Sequence, residues 1–333
     1  MFLKQNLKKV AACVKRNKSF LITAHTNLEG DALGAELSLY RLLKKMGKSV
    51  VIVNEGPVPD SYAFLPDLDK IRRFNPRLKN LKFDCFAVVD CSGLERSGEV
   101  YRLNRKDAEI LNIDHHISNE NFGDVNWVDP DASCACEMIY RLYKELKVPL
   151  DKDTALDLYA GILTDTGSFR YSNTSPFTHQ ATADLLKYKI NVPGIYKKVY
   201  EDIPFGDMQL LSKILPRIKR EAQGRIAWVK MPHDLLKGRK LSFDLSEHIL
   251  SFCRAIRGVE VVALFKENLG VRGEVRINFR SQGKVDVNKI AKFFGGGGHK
   301  TASGATVRGS IDSVAQKVLG KIKEAIRQGL SPS

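Results

Sequence analysis

The sequence predicts an α/β fold: a mostly parallel sheet with flanking helices, followed by a smaller α+β C-terminal domain. Three observations predict it. Short apolar runs alternate with helix-period segments through the first half, the pattern of a parallel sheet covered on both faces. Those runs end in loops rich in acidic and histidine residues, and ligand sites of open α/β sheets form at strand carboxyl ends. After about residue 187 the pattern changes to spaced prolines, a glycine-centred hairpin and paired strands.

Residues 3–16 place Leu3, Leu7, Val10, Ala11 and Val14 at a helical period. Ser19–Ala24 is a buried-strand run and His25–Asp31 a polar loop. A helix follows from Ala32 to Met46, stopped by Gly47. Val50–Val53, Phe83–Val89 and Glu109–Ile113 read as strands, and 132–147 and 153–163 as helices. Further on, Pro193, Pro204 and Pro216 punctuate helix-like stretches, and a hairpin centres on Gly224. Glu260–Phe265 and Gly273–Phe279 read as strands joined through Asn268-Leu-Gly. A helical segment 286–294, four glycines at 295–298, a strand Ala302–Val307 and an amphipathic helix 311–327 close the chain. The expected organisation is a catalytic domain at 1–187, a linker at 188–205 and a substrate-binding domain at 206–330, with no internal repeat.

The composition is that of an ordinary globular protein: 333 residues, 43% hydrophobic and 27% charged. Disordered and fibrous classes are excluded on that ground. Lys and Arg total 53 against 38 Asp and Glu, a net charge of +15. Such a balance favours polyanionic partners, nucleic acid or phosphate-rich metabolites. No apolar run approaches the roughly 20 residues of a membrane helix. The first residues lack the apolar core of a signal peptide. Cys13, Cys85, Cys91, Cys134, Cys136 and Cys253 are scattered and read as free thiols of a reducing compartment. A soluble, cytoplasmic protein without membrane contact is expected, and a homodimer is left open.

Four segments carry metal-type ligands. The first strand ends in His25-Thr-Asn-Leu-Glu29-Gly-Asp31, the third in Asp90-Cys-Ser92, the fourth in Asp114-His115-His116; later comes Asp165-Thr-Gly167. Taken singly, His25 is a strand-end histidine, Asp31 an N-cap and Asp165 part of a turn. Taken together in strand-end register they call for a cation, because gathered carboxylates repel one another and resist desolvation. Oxygen-rich ligands with imidazoles and no thiolates suit Mn²⁺ or Mg²⁺, with Co²⁺, Zn²⁺ or Fe²⁺ as alternatives. Two ions about 3.5–4 Å apart, bridged by one carboxylate, would use this many groups and act on a phosphate.

These motifs, with Asn121–Ser133 after the Asp-His-His and with Gly295–Gly298 followed by His299-Lys-Thr-Ala-Ser-Gly304, resemble the DHH/DHHA1 phosphoesterase superfamily. The similarity is greatest to its oligoribonuclease and pAp phosphatase group and runs from about residue 15 to about 325. Carried over, the resemblance implies that His25, Glu29 and Asp90 hold one ion. Asp31, Asp90, His115 and Asp165 hold the other, with Asp90 bridging. His115, His116 and Asp90 are the implied catalytic residues, and His116 faces the substrate phosphate. Arg280, Gly296, Gly297, Gly298 and His299 are implied to grip the rest of the substrate across a cleft between the domains. Glycines permit close backbone approach to an anion and arginine offers a forked donor, which agrees. One departure stands out: Leu28-Glu29 replaces the family's Pro-Asp. Cys134 and Cys136 are expected to pack in the first turn of a helix that starts near Asp131 and Ser133.

The implied activity is two-metal hydrolysis of short oligoribonucleotides and of pAp (3'-phosphoadenosine 5'-phosphate), with two divalent ions, Mn²⁺ first. Substrates would be short single-stranded RNA and nucleotide bisphosphates. The enzymatic alternative is a cyclic- or linear-dinucleotide phosphodiesterase of the same superfamily. The alternative from another class is an RNA-binding module that has lost catalysis, against which the intact acidic set argues.

Overall fold

The structure, a computed structural model, describes residues 2–104, 108–236, 245–267 and 271–328. The chain divides into two compact units, Met1–Asp202 and Ile203–Ser333. The first contains α1 (Phe2–Arg16), β1 (Ser19–Thr23), α2 (Gly30–Lys45), β2 (Ser49–Asn54), β3 (Ile71–Arg73), β4 (Cys85–Val89), β5 (Glu109–Asp114), β6 (Val125–Val128), α3 (Ala135–Leu146), α4 (Lys152–Asp165), α5 (Pro176–Leu186) and α6 (Val192–Tyr196). Its six strands are all parallel, in the order β3-β2-β1-β4-β5-β6. The order reverses beside β1, and the crevice outside the carboxyl ends of β1 and β4 is therefore the ligand position of a doubly wound sheet.

Strand β4, Cys-Phe-Ala-Val-Val, is buried along its whole length. Cys85, Ala87 and Val89 face a core shared with α1 to α5, while Phe86 and Val88 face Leu21, Val53, Val100 and Leu103. This second face is covered by 3-10 turns at Pro76–Asn80 and Leu94–Leu103. Burial of a side chain such as Phe86 contributes about 2–3 kcal/mol. The edge strands β3 and β6 and the helix α5 were not apparent from periodicity. Helix α5 is nevertheless signalled locally, by a capping box between Ser175 and Thr178 with proline in its first turn. Helix α3 begins at Ala135 with Cys134 as N-cap, a little after the expected start. Within 188–205, the range expected as a linker, α6 and a further helical turn at Lys197–Glu201 bury Ile195 and Val199 in the first core.

The second unit contains α7 (Phe205–Ile214), β7 (Lys219–Glu221), β8 (Ile226–Met231), α8 (His233–Leu236), α9 (Leu245–Ala255), β9 (Val261–Glu267), β10 (Glu274–Ser281), α10 (Val287–Phe293), β11 (Gly297–Gly298), β12 (Ala302–Arg308) and α11 (Ile311–Gln328). Its sheet runs β11-β12-β10-β9-β8-β7. Among the described residues only β8 and β9 pair in parallel, so the sheet is mixed. The expected turn Asn268-Leu-Gly lies outside the described residues. Val275, Ile277 and Phe279 of β10 pack with α10 and α11, whereas Val262 and Leu264 of β9 pack with α7 and α9 on the opposite face. All six cysteines are free and buried. Among the described residues no helix is long and apolar enough to cross a membrane.

Candidate metal centre

Strands β1, β4 and β5 are neighbours in the first sheet, and being parallel they deliver their carboxyl ends to one edge. His25 follows β1, Asp90 follows β4, and Asp114, His115 and His116 stand at the end of β5. Asp90 adopts a left-handed backbone, φ +50°, a conformation that Asp tolerates better than most residues. Its N–H donates to Ile113 O at 3.0 Å, which ties the turn to β5.

Asp90 is the point on which His25, His115 and His116 converge. His25 Nε2 lies 3.4 Å from Asp90 Oδ2 and 3.9 Å from Glu29 Oε1. His115 Nε2 lies 3.5 Å from Asp90 Oδ1, 3.8 Å from Asp31 Oδ2 and 3.8 Å from Asp165 Oδ2. Thus His25, Glu29 and Asp90 form one group, while Asp31, Asp90, His115 and Asp165 gather round the His115 ring; Asp90 belongs to both. Glu29 takes its place although it is longer than the family's usual Asp, and its side chain is 57% exposed. His116 Nδ1 is bonded to Asp114 Oδ1 at 2.7 Å and lies 3.7 Å from Asp90 Oδ1.

The groups are held from behind. Asp31 accepts from the N–H groups of Ala135 at 2.7 Å and Cys136 at 2.8 Å, at the N-terminus of α3, where the helix dipole favours an anion. Asn173 Nδ2 donates to Asp165 Oδ2 at 3.2 Å. Asn119 Nδ2 donates to Asp114 Oδ2 at 2.6 Å and to Cys91 O at 3.1 Å. Behind His25, Asn54 Oδ1 accepts from the Ala24 N–H at 3.4 Å, and Asn54 Nδ2 donates to Glu36 Oε2 at 2.7 Å. Sequence reasoning missed Asn119, Asn173, Asn54 and Glu36, because single polar residues inside helices, strands and loops carry no spacing signal.

The electrostatics are those of a cluster built around positive charge. Burial raises the Asp31 and Asp165 carboxyls above their ordinary range, and for Asp31 the neighbouring Asp90 charge adds to the effect. Burial also opposes ionisation of Asp90, but contacts from His115 and His25 outweigh it and hold Asp90 well below the usual range. Burial would favour a neutral His115 ring, yet the facing Asp165, Asp90 and Asp31 raise it well above the usual value. Asp90 Oδ2 and His25 Nδ1 are buried without a hydrogen-bond partner. Orphaned buried atoms are costly, and a cation at Asp90 would satisfy the oxygen. The donor set therefore fits a divalent metal ion, and the ligand atoms of His25, Glu29 and Asp90 lie within 4.8 Å of one another.

The remaining expected residues lie in the second unit. Arg280 stands opposite Ala302 in the β10–β12 ladder, and His299 N–H donates to Ala302 O at 2.6 Å, so the two residues flank one position. The Arg280 guanidinium is paired with Glu247 and donates to Phe279 O. Gly297 pairs with Gly304, and Gly298 with Ser303. Gly296 and Gly298 have a packing role: an added Cβ would stand 2.1 Å from Gly304 O and 2.6 Å from Ala302 O respectively.

A doubly wound sheet carrying this strand-end cluster, followed by a mixed-sheet unit with a glycine-histidine turn, defines the class of DHH-type proteins. The DHH family's N-terminal domain matches residues 19–162, and the DHHA1 domain matches 236–328. The chain is 31% identical over 309 residues to the bifunctional oligoribonuclease and PAP phosphatase of Thermus thermophilus, across 92% of this chain and 89% of that protein. It is 27% identical over 292 residues to the protein of the same name from Bacillus subtilis, across 87% of this chain and 89% of that one. A crystal structure of an exopolyphosphatase-related protein from Bacteroides fragilis shares the fold, with a TM-score of 0.87 at 24% identity over 97% of this chain and 98% of that one. The chain belongs to the DHH/DHHA1 phosphoesterase family.

Proposed function

We propose that the protein is a two-metal phosphohydrolase that degrades short oligoribonucleotides to mononucleotides and dephosphorylates pAp. The observation that carries this is the convergence of His25 and His115 on one shared carboxylate, Asp90, with Glu29 beside His25 and with Asp31 and Asp165 beside His115. The names of the Thermus and Bacillus relatives support it. Two divalent ions, Mn²⁺ first, would be held by His25, Glu29 and Asp90 and by Asp31, Asp90, His115 and Asp165. When bound, such ions neutralise phosphoryl oxygens and lower the pKa of water.

The chain's own residues do the rest. Asp114 accepts from His116 Nδ1–H and so fixes the ring; in its doubly protonated form the ring would give its Nε2 proton to the departing oxygen. The α3 N-terminus orients Asp31. Arg280, Gly296, Gly297, Gly298 and His299 bind the substrate away from the reacting phosphate. The test is kcat/KM of the Mn²⁺-loaded protein on pAp, pApA, a five-nucleotide RNA, cyclic di-AMP and pyrophosphate. Highest values on pAp and the short RNAs are expected. Turnover confined to cyclic di-AMP or pyrophosphate would overturn the reading.

A further inference from the structure

A carboxylate cluster that gathers cations still needs protein donors for the phosphate it acts on, since preorganised donors aimed at developing charge are a main source of catalysis. Arg96 is placed to be one. Its backbone is tied to both site loops. The N–H of Thr26, the residue after His25, donates to Arg96 O at 2.9 Å, and Arg96 N–H donates to Gly93 O at 3.0 Å. Its Nη1 donates to Ser92 Oγ at 2.8 Å, and Ser92 is buried two residues after Asp90.

Arg41, Arg141, Arg225 and Arg280 are each paired with a carboxylate. Arg96 is exposed, and among the described residues it forms no ion pair. An exposed guanidinium beside an acidic cluster would ordinarily fold back onto a carboxylate. Here a neutral hydroxyl holds it by one N–H, and four of the five donors of the fork remain for a ligand. A planar fork of that kind matches the oxygens of a phosphoryl group.

We propose that Arg96 is a phosphate-binding residue of the catalytic unit, gripping the scissile phosphoryl group of the substrate and the phosphate released from it. The proposal rests on the phosphohydrolase reading above. Its test compares Mn²⁺-loaded wild type, Arg96→Ala, Arg96→Lys and a control, Arg77→Ala, which is exposed on another turn. Metal content, kcat/KM on pAp and pApA, and binding of inorganic phosphate by calorimetry are measured. Arg96→Ala is expected to keep its metal while kcat/KM falls roughly 10- to 100-fold on both substrates. Phosphate affinity should fall with it. Arg96→Lys should recover part of the loss, guanidinium ion in the buffer should partly restore Arg96→Ala alone, and Arg77→Ala should behave as wild type. Phosphate affinity in Arg96→Ala equal to that of wild type, or loss of metal in step with activity, would overturn the proposal. A wild-type protein that binds phosphate but hydrolyses no nucleotide would refute the functional reading, and the calorimetry would still decide on Arg96.

Discussion

Gly161 couples helix packing to the metal centre, and Gly161→Ala should damage both. A methyl group there would stand 2.2 Å from Cys136 Sγ, 2.9 Å from Cys136 Cβ and 3.0 Å from Asp31 Oδ1. Ordinary contacts begin near 3.5 Å, so α4 must move away from α3 and α2 by about 1 Å. Helix propensity alone predicts the opposite sign, a gain of roughly 0.5–1 kcal/mol for Ala over Gly. Overpacking costs about 1–3 kcal/mol and should win, lowering the melting temperature by several degrees. Cys136 supplies one of the two N–H groups that hold Asp31, and Asp165 is the last residue of α4. The displacement therefore reaches Asp31 and Asp165, two of the three carboxylates facing His115. A misplacement of 1 Å can cost on the order of 100-fold in rate, and kcat on pAp should fall on that scale. Thermal melts and Mn²⁺-supported turnover are the assays. Adding Cys136→Ala removes the shortest contact and should recover much of the melting temperature. A Gly161→Ala protein as stable and active as wild type, or one that Cys136→Ala does not rescue, would refute the reasoning.

Burial pushes the Glu36 carboxyl up to about 8 from 4.5. A carboxyl raised in the folded state stabilises it while protonated and loses that contribution as pH rises from about 4.5 to about 8. Melts of chelator-treated protein across that window should show falling stability, by at most about 1.4 kcal/mol per pH unit. Glu36→Gln should flatten the slope, and an unchanged slope would assign it to other groups. Asn119→Ala removes the bond that holds Asp114, and through it His116. A fall in kcat of roughly 10- to 100-fold is expected with metal content intact, and parallel loss of metal would make Asn119 a structural residue only.

Much of the centre was legible because strand ends are punctuated by chemistry. Runs such as Phe-Leu-Ile-Thr and Phe-Ala-Val-Val stop abruptly at His25 and Asp90, and the parallel sheet brings those stops to one edge. The edge strands were not legible. Ile71-Arg-Arg has no fully buried residue, and in Val125–Val128 only Trp127 is buried. Both take their strand form from a neighbour's ladder, with no apolar pattern of their own. The start of α3 fell later than expected because Cys134, through its sulfur, accepts from Glu137 N–H at 3.3 Å and serves as the cap. Asn54, Asn119 and Asn173 also bond to Ala24, Cys91 and Ser133, and Arg96 to Thr26, and contacts between segments this far apart in sequence are not encoded by spacing.

Asp90, which faces both His25 and His115, is the residue on which the two-ion centre stands or falls. The most direct measurement counts manganese per chain by elemental analysis, beside turnover of pApA, in wild type and Asp90→Asn. Two ions per wild-type chain are predicted, with both weakened and turnover reduced by orders of magnitude in the variant. An Asp90→Asn protein that keeps both ions and the wild-type rate would contradict the account.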